Sequence, residues 1–121
     1  MKPYKILIIE DEIIVATDMK AILDDAGYDV FGIATNIKEV DNCVAKMLPD
    51  LILCDINLQN DTSGISIISE INKKYSIPFM YVSAYSDMEI VLKAGKTNPA
   101  GYITKPFSEK QLIAAVSVFF A

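Results

Sequence analysis

The chain of 121 residues contains no histidine and only two cysteines. Without histidine it carries no His-ligated zinc, no Ser-His or Cys-His nucleophile pair, and no phosphohistidine of its own. Two thiols, Cys43 and Cys54, make neither a disulfide framework nor a four-thiolate metal site. Cys54 falls within the apolar run 51–54 and reads as a small buried hydrophobe. Basic residues are also scarce, with 11 Lys plus Arg against 16 Asp plus Glu and a formal charge of −5. A nucleic-acid reader gathers Lys and Arg on one face, so direct nucleic-acid binding is not expected. No stretch approaches the roughly 18 apolar residues of a membrane span. The apolar run after Lys5 is only four residues long, too short for a signal-peptide core. The expectation is a soluble, cytoplasmic protein with no membrane contact.

What is present suffices for a single packed domain. At 121 residues, 52% hydrophobic and 22% charged, the chain can bury one core and is not expected to be disordered. Apolar runs recur at 6–9, 30–34, 51–54, 79–82 and 102–103. Most are continuous rather than alternating, as strands covered on both faces read in a parallel sheet. The second and fifth are weaker, which suits strands nearer an edge.

Helical spacing separates these runs. Val15, Met19, Ile22 and Ala26 step along one face before Gly27, a C-terminal stop. Ile37, Val40, Val44 and Met47 do the same after Asn36, with Glu39 three residues on. Ile65, Ile68 and Ile71 follow Gly64. Ser86 with Glu89, and Ser108 with Gln111, match the capping box, so two more helices are expected there. The last carries Leu112, Val116 and Phe119.

The order is thus β-α repeated five times. It implies an α/β fold with a doubly wound, five-stranded parallel sheet, right-handed crossovers and helices on both faces. The matching strand order is 2-1-3-4-5, in which ligands sit beyond the carboxyl ends of the strands beside the reversal between strands 1 and 3. No linker or repeat interrupts residues 1–121, read as one domain without an effector.

Polar residues then fall at those carboxyl ends. Glu10 and Asp11 follow strand 1, Asp55 follows strand 3, Ser83 follows strand 4, and Lys105 follows strand 5. Singly, each reads as a helix cap, a turn residue or a solvated lysine. Collectively, three carboxylates side by side repel unless a cation neutralises them, and an all-oxygen donor set favours Mg2+. A hydroxyl and an ammonium beside the metal complete a pocket for a phosphoryl group. Asp55 can then serve as both ligand and nucleophile.

Glu10-Asp11, Asp55, Ser83-Ala84 and Lys105-Pro106, with the segment Gly101 to Phe107, resemble the receiver domain of two-component response regulators over essentially the whole chain. The resemblance implies Asp55 as phosphoacceptor and Mg2+ held by Glu10, Asp11, Asp55 and the main-chain carbonyl of Asn57. It further implies Lys105 and Ser83 as phosphoryl contacts, with Ser83 and Tyr102 forming the conformational switch. An amphipathic edge-strand tyrosine is the other reading of Tyr102. The implied phosphodonor is a histidine kinase or phosphotransfer protein. The implied readout is the face of helix 4, strand 5 and helix 5, where an effector docks or a homodimer forms and where Met88, Val91 and Leu92 lie. Such a domain catalyses its own phosphorylation and dephosphorylation without being a turnover enzyme. The segment from Asp55 to Gly64 departs from the family, lacking proline and running one residue longer than its commonest spacing. Two other readings stand beside this one: a receiver-like module that is never phosphorylated, and a phosphatase of the haloacid-dehalogenase type. The latter wants an acid where this chain has Asn57.

Overall fold

The computed structural model describes residues 2–58, 63–84 and 88–121. Its strands are β1 (Lys5–Ile9), β2 (Asp29–Ala34), β3 (Leu51–Cys54), β4 (Phe79–Ala84) and β5 (Gly101–Lys105). They pair in parallel in the order β2-β1-β3-β4-β5. Between and after them lie α1 (Ile13–Asp25), α2 (Ile37–Lys46), α3 (Gly64–Lys74), α4 (Met88–Gly95) and α5 (Glu109–Phe120). The doubly wound arrangement implied by the alternating pattern is therefore the one formed.

The continuous apolar runs divide between two cores because strand side chains alternate. Leu7, Ile9, Ile52, Cys54, Phe79 and Tyr81 face α2, α3 and α4, meeting Val40, Val44, Ile67, Ile68, Ile71 and Ala94. Ile6, Ile8, Leu51, Leu53, Met80 and Val82 point the other way, onto Ala16, Met19 and Leu23 of α1 and Leu112 and Val116 of α5. Each fully buried aliphatic side chain contributes roughly 1.5–3 kcal/mol, so three central strands buried on both faces hold the scaffold rigid.

The helix ends follow local chemistry. Asn36 Oδ1 accepts the Glu39 N–H at 2.9 Å, while the Glu39 carboxylate turns to the Thr35 N–H at 2.7 Å. Ser108 and Gln111 cap each other reciprocally at the start of α5. Gly27 closes α1 at φ 97°, a left-handed conformation that a side chain would disfavour. The Ser86 half of the other expected capping box lies outside the described residues.

Three expectations need adjusting. The buried stripe of α1 is Ala16, Met19 and Leu23, with Val15 and Ile22 on its flanks and Ala26 exposed. The helix is rotated from the expected phase because two apolar stripes run side by side along it. Similarly, only Val40 and Val44 of the α2 stripe are buried, with Ile37 and Met47 exposed near its ends. Finally, Ser83 and Lys105 lie within β4 and β5, not after them. The ladder continues past the apolar residues through the Ser83–Thr104 and Ala84–Lys105 pairs.

Candidate functional site

β1 and β3 end side by side, with Ile9 opposite Cys54 in the ladder. The next residues, Glu10 and Asp55, are therefore delivered together at the sheet's reversal. Backbone bonds fix both: the Glu10 N–H donates to Ala34 O at 3.0 Å and the Asp55 N–H to Ile9 O at 2.9 Å. Both side chains are buried despite their charge, and Asp11 beside them is half-buried. One carboxylate oxygen from each of Glu10, Asp11 and Asp55 lies within 4.8 Å of the others.

Lys105 reaches this cluster from β5, across the end of the intervening β4. Its ammonium bonds Asp55 Oδ2 at 3.1 Å and also Glu10 Oε1. The resemblance gave Lys105 as a contact of the phosphoryl group on Asp55; its bond to Glu10 is additional. Asp55 Oδ1 accepts the N–H of Asn57 at 3.3 Å. The Lys105–Pro106 peptide that follows is cis. Ser83 is buried at the end of β4. Tyr102 is half-buried, packed on the core beneath α4, its ring centroid 6.3 Å from that of Tyr81.

The electrostatics are unbalanced. Three carboxylates against one ammonium leave two negative charges when all are ionised, in surroundings that exclude much water. Burial pushes Glu10 up to about 7; repulsion from Asp55 adds to this and the bond to Lys105 opposes it. Burial alone would lower the Lys105 pKa, but its bond to Glu10 and attraction to Asp55 outweigh burial and raise it. Cys54 beneath the site is raised well above the usual thiol range by burial, with Asp55 and Glu10 contributing, so it stays a thiol. An all-oxygen set short of two positive charges suits a divalent hard cation such as Mg2+.

One positioning contact escaped the sequence reading, which had Gly64 as the head of the third helix and the end of the Asp55 spacing. A Cβ built on Gly64 would lie 1.9 Å from Asp55 O and 2.7 Å from Cys54 Sγ. The first turn of α3 thus rests directly on the Asp55 backbone, secured by the Gly64 N–H on Ile56 O at 2.8 Å. A short bridge between Asn57 and Ser63 ties the two ends of the connection together. Residues 59–62 lie outside the described residues. Beside Lys105, Ile14, Val15, Asp18, Ala84, Pro106 and Phe107 line an open hollow of about 550 Å³. Its apolar rim continues to Ile13 and Ile14, 67% and 82% exposed, which the sequence reading passed over.

The sequence matches the response regulator receiver domain family over residues 6–117. It is 34% identical to the phyllosphere-induced regulator PhyR of Methylorubrum extorquens across 93% of this chain and 42% of that protein. It is 31% identical to the transcriptional regulatory protein PdtaR of Mycobacterium tuberculosis across 96% of this chain and 56% of that one. The chain thus spans about half the length of these curated relatives. Among solved structures, the receiver domain of the Erythrobacter litoralis PhyR response regulator superposes with a TM-score of 0.86. That match has 30% identity and covers 99% of this chain and 92% of that one.

Proposed function

The chain belongs to the response regulator receiver domain family, and from that premise we propose that Asp55 is its phosphoacceptor. The observation that carries this reading is the Asp55 carboxylate itself. It is 5% exposed, lies at a strand end, has an ammonium at 3.1 Å and has two further carboxylates beside it.

In the proposed reaction an Asp55 carboxylate oxygen attacks the phosphorus of a phosphohistidine on a separate protein, or of acetyl phosphate. A P–O bond to Asp55 forms as the bond to imidazole nitrogen or acetate oxygen breaks. Lys105 neutralises charge on the transferring oxygens, and its raised pKa keeps it protonated throughout. Glu10, Asp11, Asp55 and the Asn57 carbonyl would hold Mg2+, which supplies further neutralisation and orientation when bound. Water later hydrolyses the acyl phosphate, so the chain resets itself and is not a turnover enzyme.

Ser83 donates to the phosphoryl group and draws the end of β4 inward, and the Tyr102 ring turns inward with it. The added charge, roughly −1.5 to −2, is sufficient to bias such a two-state element. The readout is the face of α4, β5 and α5, where Met88 and Leu92 are exposed while Val91 is half-buried. There an effector or a second copy would dock. The donor, a histidine kinase or phosphotransfer protein, would approach over the apolar hollow beside Lys105. A PhyR from Bartonella quintana is an anti-anti-sigma factor, so a role of that kind is one proposed output. With no described helix long and apolar enough to cross a membrane, the proposed setting is the cytoplasm.

Incubation with acetyl phosphate and Mg2+ should raise the intact mass by one phosphoryl group, and chelating Mg2+ or introducing Asp55→Asn should abolish the gain. Equal incorporation in the Asn variant would sink the assignment. Sustained turnover of a generic phosphate ester would instead move the chain to the phosphatases.

A further inference from the structure

Helix α4 buries few of its side chains. Within it only Ala94 is buried and Ile90 and Val91 are half-buried, while the remaining positions face solvent. Its C-terminal end is tied differently from the rest. Ala94 O accepts both the Thr97 backbone N–H at 3.1 Å and the Thr97 hydroxyl at 2.6 Å. That hydroxyl has one proton, and it is committed to Ala94. The 2.7 Å contact between Thr97 Oγ1 and the Tyr81 hydroxyl therefore has Tyr81 as donor. A directed chain of hydrogen bonds runs from Tyr81 in β4, through Thr97, into the last turn of α4.

The origin of that chain is rigid. Tyr81 is 0% exposed, with Phe79 edge-on at 5.5 Å and Tyr102 at 6.3 Å. It lies two residues before Ser83, on the same face of β4. The tyrosine that pins α4 thus sits on the strand that ends in the buried serine, and its ring touches the other proposed switch residue.

We infer that the Tyr81–Thr97–Ala94 relay is the pivot of α4, holding its C-terminal end to the sheet while its N-terminal end, at Met88, swings. Tyr81 and Thr97 are then positioning residues that turn a shift at Ser83 into a rotation of α4. The swing rests on Asp55 being the phosphoacceptor; the pin does not. Linked hydroxyls polarise one another, so removing either should release the whole anchor. A helix held at one end rotates about it, and the displacement grows with distance from the pin.

Amide hydrogen exchange on the full chain separates the two parts. Without ligand, Tyr81→Phe should speed exchange in residues 90–97 about five-fold, the loss of one net hydrogen bond, and Thr97→Val, which removes both hydroxyl bonds, by more, with β1 and β3 unchanged. Thr97→Ser keeps the hydroxyl and should stay near wild type. With beryllofluoride and Mg2+, the wild-type response in α4 should concentrate in its N-terminal half, and both pin variants should spread it along the helix. Unchanged α4 exchange in both variants, or a rise shared equally by the central strands, would overturn the pin. A wild-type chain that ignores beryllofluoride would overturn the swing together with the Asp55 reading, and the unliganded exchange would still decide the pin.

Discussion

Replacing Gly64 by alanine should damage the site without touching any charged group. The new methyl would start 1.9 Å from Asp55 O, and real Cβ atoms essentially never approach a heavy atom within 3.0 Å, so about 1.1 Å of separation must be created. The carbonyl is backbone at the buried end of β3, so the strain moves either Asp55 or the first turn of α3. Overpacking of this kind costs about 1–3 kcal/mol. At roughly 4 °C per kcal/mol for a domain near this size, the melting temperature should fall by about 4–12 °C. A misplacement of about 1 Å in a reacting group costs about a hundred-fold in rate, which is the expected loss in phosphorylation by acetyl phosphate at saturating Mg2+. An intact-mass time course measures it, and thermal melting checks that the variant folds. Cys54→Ala in the same background relieves only the 2.7 Å sulfur contact and should not restore the rate. A Gly64→Ala protein that melts and phosphorylates like wild type would refute the reasoning.

Glu10 makes stability fall, not rise, between about pH 4.5 and 7 in Mg2+-free buffer. Its carboxyl is raised from 4.5 to about 7, so the folded chain binds the proton more tightly than the unfolded one, and a penalty on the order of 3 kcal/mol is complete above that window. Denaturant titrations across the window should show the slope, and Glu10→Gln should flatten it; a Gln variant with the same slope would contradict this origin. At the sheet's β2 edge, Asp24 Oδ1 accepts the Val30 N–H at 3.1 Å while Lys20 donates to Val30 O at 3.1 Å. Both outward backbone groups of Val30 are thereby occupied, which protects an edge strand. Asp24→Ala should cost about 1 kcal/mol and increase self-association in sedimentation at high concentration; an unaltered monomer would argue that the edge needs no cover.

The parts legible in the sequence were those where one physical demand acts alone. Runs 6–9, 51–54 and 79–82 are apolar throughout because helices cover both faces of β1, β3 and β4. Strand ends were read short, at β4 as well as at the edge strands β2 and β5. β2 contains a register shift opposite Ile6 and Leu7, and β5 extends into Thr104 and Lys105, whose side chains carry no apolar signal. α1 was misphased because Val15 and Ala16 begin equally plausible stripes, and only contact with β1 and β3 chooses between them. Glu10, Asp11, Asp55 and Lys105 were legible because charge at several strand ends has few explanations. Gly64 against the Asp55 carbonyl, and Lys105 on Glu10, depend on how α3 and β5 close over the sheet, which spacing does not encode.

The central claim is that one carboxylate, Asp55, receives the phosphoryl group. Borohydride reduction after phosphorylation converts an aspartyl phosphate to homoserine, and peptide mass spectrometry then locates it. The account predicts homoserine at position 55, dependent on Mg2+ and found nowhere else; homoserine at position 11, hydroxynorvaline at position 10, or neither in a chain that has gained a phosphoryl group, would contradict it.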